Sequence, residues 1–161
     1  MTKINPSIKK MQVLVITHSR ESARHIFSTG NTLFNNTDVK FALHNGENNI
    51  YLNTDNYNID NPSIETNKFN ENFIIATPNR LLNLLDCKNG IATRLDNSEL
   101  RLLILDGVDK LLSDRYLVII RRIITEYINI NVQIVTFSLS MSEKIMKLTD
   151  NFMSNTIQIS L

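Results

Sequence analysis

At 161 residues, with 17 Lys plus Arg against 16 Asp plus Glu and a formal charge of +1, the chain has room for one core. It carries no overall field that would draw it to a polyanion or an anionic membrane. A single cysteine, Cys87, excludes an internal disulfide, and His18, His25 and His44 lack the spacing of a metal cluster. No secretory signal and no apolar run of about 20 residues is present, so the expectation is an intracellular, reducing compartment (cytoplasm or nucleus) with no membrane partner.

Short β-branched apolar runs alternate with stretches of helical periodicity, which predicts βαβ units and a mostly parallel sheet. The first strand is expected over Met11 to Thr17. The helix after it has Ser19 as N-cap, Glu21 in its first turn, Ala23, Ile26 and Phe27 inward, and Gly30-Asn31 at its end. A second strand, Val39 to Leu43, leads to a turn at Asn45-Gly46. Residues 48–70, rich in Asn, Asp and Thr, read as a poorly ordered insertion.

Phe73 to Ala76 resumes the strand pattern. Thr77-Pro78 is an N-cap with proline at the first helical position, ahead of Leu81, Leu82, Leu84 and Leu85. Leu102 to Leu105 lacks polar alternation, as a strand covered on both faces does. Leu117, Ile120, Ile124 and Tyr127 predict a helix, with Arg122 and Glu126 paired outside. After a strand at Val132 to Phe137, Ser140 and Glu143 form a capping box for a helix with Ile145, Leu148 and Phe152 inward. Thr156 to Ile159 is expected as a sixth strand.

Four segments, in order and each at a strand end, resemble the first RecA-like domain of the DEAD-box ATP-dependent RNA helicases, most closely the translation initiation factor 4A group. Val13 to Ala23 is similar to the strand and P-T-R-E-L-A segment, and Ile74 to Leu81 to the strand and T-P-G-R, with Asn79 in the glycine position. Leu103 to Leu112 is similar to the strand and D-E-A-D, and Gln133 to Met141 to the strand ending in S-A-T-M. The resemblance implies an α/β, three-layer αβα fold of the P-loop NTPase type, here a single incomplete domain over 1–161 lacking the phosphate-loop strand. It also implies a family role in ATP-dependent RNA unwinding, as in translation initiation.

Carried over by position, the RNA-backbone contacts are Ser19 and Arg20, Gly46, and Thr77 with Arg80. These are hydroxyls, guanidiniums and helix-start amides suited to phosphate. Ser19 and Thr77 read equally as helix caps, and Arg20 and Arg80 as solvated charges. On the nucleotide side the resemblance gives Asp106 as the vestigial magnesium residue, Asp106-Gly107-Val108-Asp109 as the acidic motif, and Ser138 and Ser140 as the coupling motif. Leu139 between those serines reads as a buried leucine.

Gly107 stands where the family's glutamate positions the attacking water. Losing such a base costs about 10² to 10⁴ in rate. The four glycines are followed by Asn31, Glu47, Ile91 and Val108, so no Gly-Lys step of a phosphate loop is present. No catalytic residue set is intact, and no cofactor is expected for the chain alone, although the family uses ATP and Mg. Two readings compete: an inactive helicase-like protein with weak single-stranded RNA contact, or a non-enzymatic interaction module. In either, the chain's start and end relative to the family predict an empty sheet slot, so that Thr156 to Ile159 pairs directly with Val132 to Phe137 or two unpaired edges remain, and a protein partner that supplies the missing strand or a second RecA-like domain.

Overall fold

A computed structural model describes residues 4–46, 51–52, 70–86, 95–154 and 156–159. Strand β1 (Val13–Thr17) is buried along its whole length, because it lies between β4 (Phe73–Ala76) and β5 (Leu102–Asp106), both parallel to it. Strand β2 (Phe41–His44) pairs with β4, and β6 (Gln133–Phe137) pairs with β5. A two-residue β3 (Tyr51–Leu52) runs antiparallel on β2, giving the order β3-β2-β4-β1-β5-β6. The helices are α1 (Arg20–Phe34), α2 (Pro78–Leu85), α3 (Val108–Leu111), α4 (Leu117–Tyr127) and α5 (Glu143–Thr149).

Alternation along the strands divides the core in two. Leu14, Ile16, Ile74, Leu103 and Leu105 face α2 and α4, which contribute Leu81, Leu84, Leu85, Ile120 and Ile123. On the same side α5 adds the half-buried Ile145 and Leu148. Val13, Val15, Ile75, Phe41 and Leu43 face the other way, where α1 packs with Ala23, Ile26 and Phe27. The result is the three-layer αβα arrangement with five parallel strands. Phe41 is the centre of the α1 side, its ring 5.3 Å from that of Phe34 and 4.7 Å from that of Phe73.

Several expectations are corrected. Helix α1 does not stop at Gly30-Asn31 but runs to Phe34, since Gly30 serves close packing: a Cβ there would lie 2.8 Å from the Phe41 ring. The N-cap of α5 is Ser142, not Ser140. Its hydroxyl accepts from the Ile145 N–H at 3.4 Å, which places Glu143 in the first helical position instead of the third. Strand β5 is fully covered only on the α4 side. Leu102 and Ile104 remain half-buried because α1 does not reach that far across the sheet.

The largest correction concerns the sixth strand. Residues 156–159 form no strand and are exposed, with Ile157 at 86% and Ile159 at 82%, and β6 is the outer strand. Their alternating pattern makes them competent for a sheet, but a strand needs a bonded neighbour to exist. Cys87 and nearly all of the 48–70 insertion lie outside the described residues.

Polar side chains close the amino ends of the strands. Gln12, 1% exposed, donates to the Asn5 and Ile8 carbonyls and accepts from the Asn5 N–H, while Asn72 ties Ile8 to Lys40. Asp86, just after α2, accepts a forked pair from Arg122 at 2.8 and 3.1 Å and the Tyr127 hydroxyl at 2.5 Å, locking α2 to α4. The pair Arg122–Glu126, expected from the helical spacing, is present at 3.0 Å.

Candidate nucleic-acid interface

At the carboxyl ends of β1, β2 and β4, where an open α/β sheet binds ligands, lies a cavity of about 300 Å³. Arg20 reaches it from the first turn of α1, Gly46 from the turn after β2, and Thr77 and Arg80 from the start of α2. The Arg20 guanidinium lies over Gly46, Nη2 being 3.7 Å from where a Cβ on that residue would stand. Thr77 occupies the N-cap position of α2, yet its hydroxyl makes no capping bond. Ser19 behaves differently: it does not line the cavity, and its hydroxyl caps α1 by accepting from the Ser22 N–H at 3.1 Å.

The cavity also holds Asn79, noted in the sequence at the glycine position, and three residues that sequence reasoning passed over, Arg115, Tyr116 and Asn83. Arg115, exposed, comes from the connection between α3 and α4 and packs its guanidinium 5.0 Å from the centre of the Tyr116 ring. Asn79 and Asn83, four apart on one face of α2, add two amides. Among the described residues, three arginines and no carboxylate line this opening. Arg115 carried no local signal, since it follows Asp114 in a polar stretch and only the fold brings it near Arg20 and Arg80.

His44, 2% exposed at the end of β2, is held neutral. Burial first, and then the positive charge of Arg80, pull its pKa from 6.5 down to about 3. A larger cavity of about 460 Å³ opens at the opposite, amino ends of β5 and β6, near Asn97, Leu100, Tyr127 and Val132. It is lined by Glu126 and by none of the arginines above, and its size alone does not outweigh the chemistry gathered at the carboxyl ends.

The acidic motif follows β5. Asp106 accepts from the Thr17 hydroxyl at 3.1 Å, and Val108 is fully buried. Gly107 is in the left-handed conformation, φ +74°, with its N–H donating to the Phe137 carbonyl at 3.0 Å; a Cβ there would meet His18 Nδ1 at 3.2 Å. Glycine in place of a larger residue thus goes with a backbone that disfavours any side chain. Asp109 lies 3.3 Å from the Ser138 hydroxyl, but that group has one hydrogen and a shorter bond, 2.5 Å, to the Ser140 carbonyl, which takes precedence. Leu139, expected to be buried, is fully exposed, because β6 ends at Phe137 and the chain turns outward before α5.

Among the described residues no three carboxylate or imidazole groups converge on a cation, one Asp106 oxygen is engaged by Thr17, and no glycine of the chain precedes a lysine.

A parallel sheet in the order β2-β4-β1-β5-β6 with helices on both faces defines a RecA-like domain. The chain belongs to the DEAD/DEAH box helicase family, whose model matches residues 1–148. It is 25% identical over 161 residues to the ATP-dependent RNA helicase dbp5 of Schizosaccharomyces pombe, spanning all of this chain and 28% of that protein. Among solved structures, a variant of S. cerevisiae Dbp5 bound to Gle1 and IP6 superposes with a TM-score of 0.77 at 21% identity, over 99% of this chain and 36% of that one. S. cerevisiae Dbp5 bound to RNA and ADP BeF3 gives 0.73 at 20% identity, over 98% and 36%. The chain thus spans about a third of the length of these relatives.

Proposed function

We propose that these 161 residues form a RecA-like unit of a DEAD-box RNA helicase-like protein that contacts single-stranded RNA through its backbone and does not turn over ATP by itself. One observation carries the reading: the cavity at the carboxyl ends brings Arg20, Gly46, Thr77 and Arg80 together, adds Arg115 and, among the described residues, includes no carboxylate. Guanidiniums, a hydroxyl and first-turn amides suit phosphodiesters and read no bases. Ser19 is left as a cap. Gly107, with no proton acceptor and a left-handed backbone, supports loss of hydrolysis, and Asp106 with Asp109 remains as vestige. A protein partner, with which RNA remodelling of the kind performed in translation initiation would take place, is part of this reading. So is an intracellular, reducing location, supported by the lone Cys87; among the described residues no helix is long and apolar enough to cross a membrane.

The test is anisotropy titration with a single-stranded oligonucleotide at low salt. Wild type binds weakly and loses affinity as salt rises, while Arg20→Ala plus Arg80→Ala lowers affinity at least about tenfold and reduces the salt slope by about one per lost contact. Undetectable RNA affinity, or RNA-stimulated ATP consumption by the chain alone, would overturn the proposal. The second reading, an interaction module, is favoured by a separate observation: β6 is an outer strand with Phe137 57% exposed.

A further inference from the structure

The cavity at the carboxyl ends gathers two kinds of group. Arg20, lying over Gly46, and Arg80, close enough to His44 to act on its charge, are cations suited to phosphate. Arg115, Tyr116, Asn79 and Asn83 line the same cavity and offer something else: a guanidinium resting on an aromatic ring, and two carboxamides.

Arg115 is held in place from below. The turn that carries it is closed by the Tyr116 and Leu117 N–H groups, which donate to the Ser113 carbonyl at 3.0 and 2.9 Å, and the Tyr116 ring packs against the core on the α2 and α4 face. The guanidinium lies over that ring, 5.0 Å from its centre. Its neighbour Asp114 is directed to Lys144, at 3.8 Å, and among the described residues no carboxylate pairs with Arg115. An exposed guanidinium with one face on a tyrosine has a second flat face to offer, and unstacked RNA bases settle on such planes.

Asn79 and Asn83 lie four apart on α2, both exposed, and among the described residues neither side chain has a hydrogen-bond partner. Asn79 stands where the resembled segment has glycine, so its carboxamide is an addition to the groups suited to phosphate. A carboxamide sets one acceptor beside one donor, which matches the N6 amino group and N7 of adenine. Guanine presents two acceptors on the same edge, and uracil has no such pair. A volume of about 300 Å³, at the small end of ligand sites, suits one base rather than a run of them.

We infer that this cavity is a base subsite for adenine in single-stranded RNA: one adenine stacks on Arg115, backed by Tyr116, and turns its N6 and N7 edge to the Asn79 and Asn83 carboxamides while its flanking phosphates meet Arg20 and Arg80. The inference rests on the RNA reading above and adds base preference to it. Contact with the backbone then supplies the attraction, and one base sets the register of the strand.

Anisotropy titration with oligo(A) and oligo(U) of equal length, at several salt concentrations, tests this. The unaltered chain is expected to bind oligo(A) about tenfold more tightly. Asn79→Ala plus Asn83→Ala brings that ratio to about one. Arg115→Lys, which keeps the charge and loses the plane, weakens oligo(A) about fivefold with the salt slope unchanged. All three side chains are exposed, so the substitutions leave the core intact, as circular dichroism melting would verify. Equal, measurable affinity of the unaltered chain for the two oligomers overturns the inference while the backbone reading stands. A preference that survives the double asparagine substitution, or an Arg115→Lys variant that holds oligo(A) as the unaltered chain does, overturns it as well. Undetectable affinity for both oligomers removes the backbone reading and this inference together.

Discussion

The two halves of the sheet differ in the same sense in their packing and in their chemistry. Around β2, β4 and β1 both faces are covered and the carboxyl ends keep Arg20, Thr77 and Arg80 about one cavity. Around β5 and β6 one face is only partly covered, the outer edge is open, and the carboxyl ends carry Gly107, Leu139 and a Ser138 hydroxyl engaged by its own neighbour. A site is held by the layers beneath it, so the half that retains two-sided packing is the half in which functional groups still converge.

Paired truncations put this contrast under the greatest load. Phe41→Ala removes a ring that is 1% exposed between Phe34 and Phe73, and should cost about 3–5 kcal/mol in urea unfolding. Phe137→Ala, on a side chain 57% exposed at the outer strand, should stay within about 0.5 kcal/mol. Equal losses would mean that β6 is as well packed as β2.

A smaller effect comes from pH. His44 has its pKa lowered from 6.5 to about 3 in the fold, so the unfolded chain takes up a proton that the folded one refuses as pH falls below 6.5. Stability contributed by the neutral imidazole is complete above that value and declines toward pH 3, by about 2 kcal/mol at pH 5. Glu71, whose carboxyl is pushed up by burial, opposes this trend, since its cost eases on acidification. Comparison of unfolding at pH 7.5 and pH 5 in wild type and His44→Gln isolates the histidine: the variant should lack the extra loss.

The least of the three is Gly107→Ala, expected to destabilise by about 1–2 kcal/mol through the left-handed backbone and the approach to His18. No loss on calorimetric melting would show that the turn relaxes, and that glycine is incidental to its shape.

Much of the fold was readable from local chemistry, and the failures have identifiable causes. β1, β4 and β5 are short apolar runs whose pattern requires burial, and Ser19 caps α1 as its neighbours dictate. Gly30 misled because its role is contact with Phe41, eleven residues away, and Ser140 because a second serine two residues on fits the cap geometry better. Arg115 could not be found by inspection, since its neighbourhood exists only once β1, β4 and α2 are assembled.

Residue type and near neighbours were enough to establish the alternation of strand and helix, the family resemblance and the absence of a Gly-Lys phosphate loop. The assembled chain was needed to make β6 the outer strand, to leave 156–159 unpaired, and to gather three arginines about an opening that, among the described residues, no carboxylate lines. Periodicity specifies which residues can be buried or bonded. Whether they are depends on what the rest of the chain brings alongside.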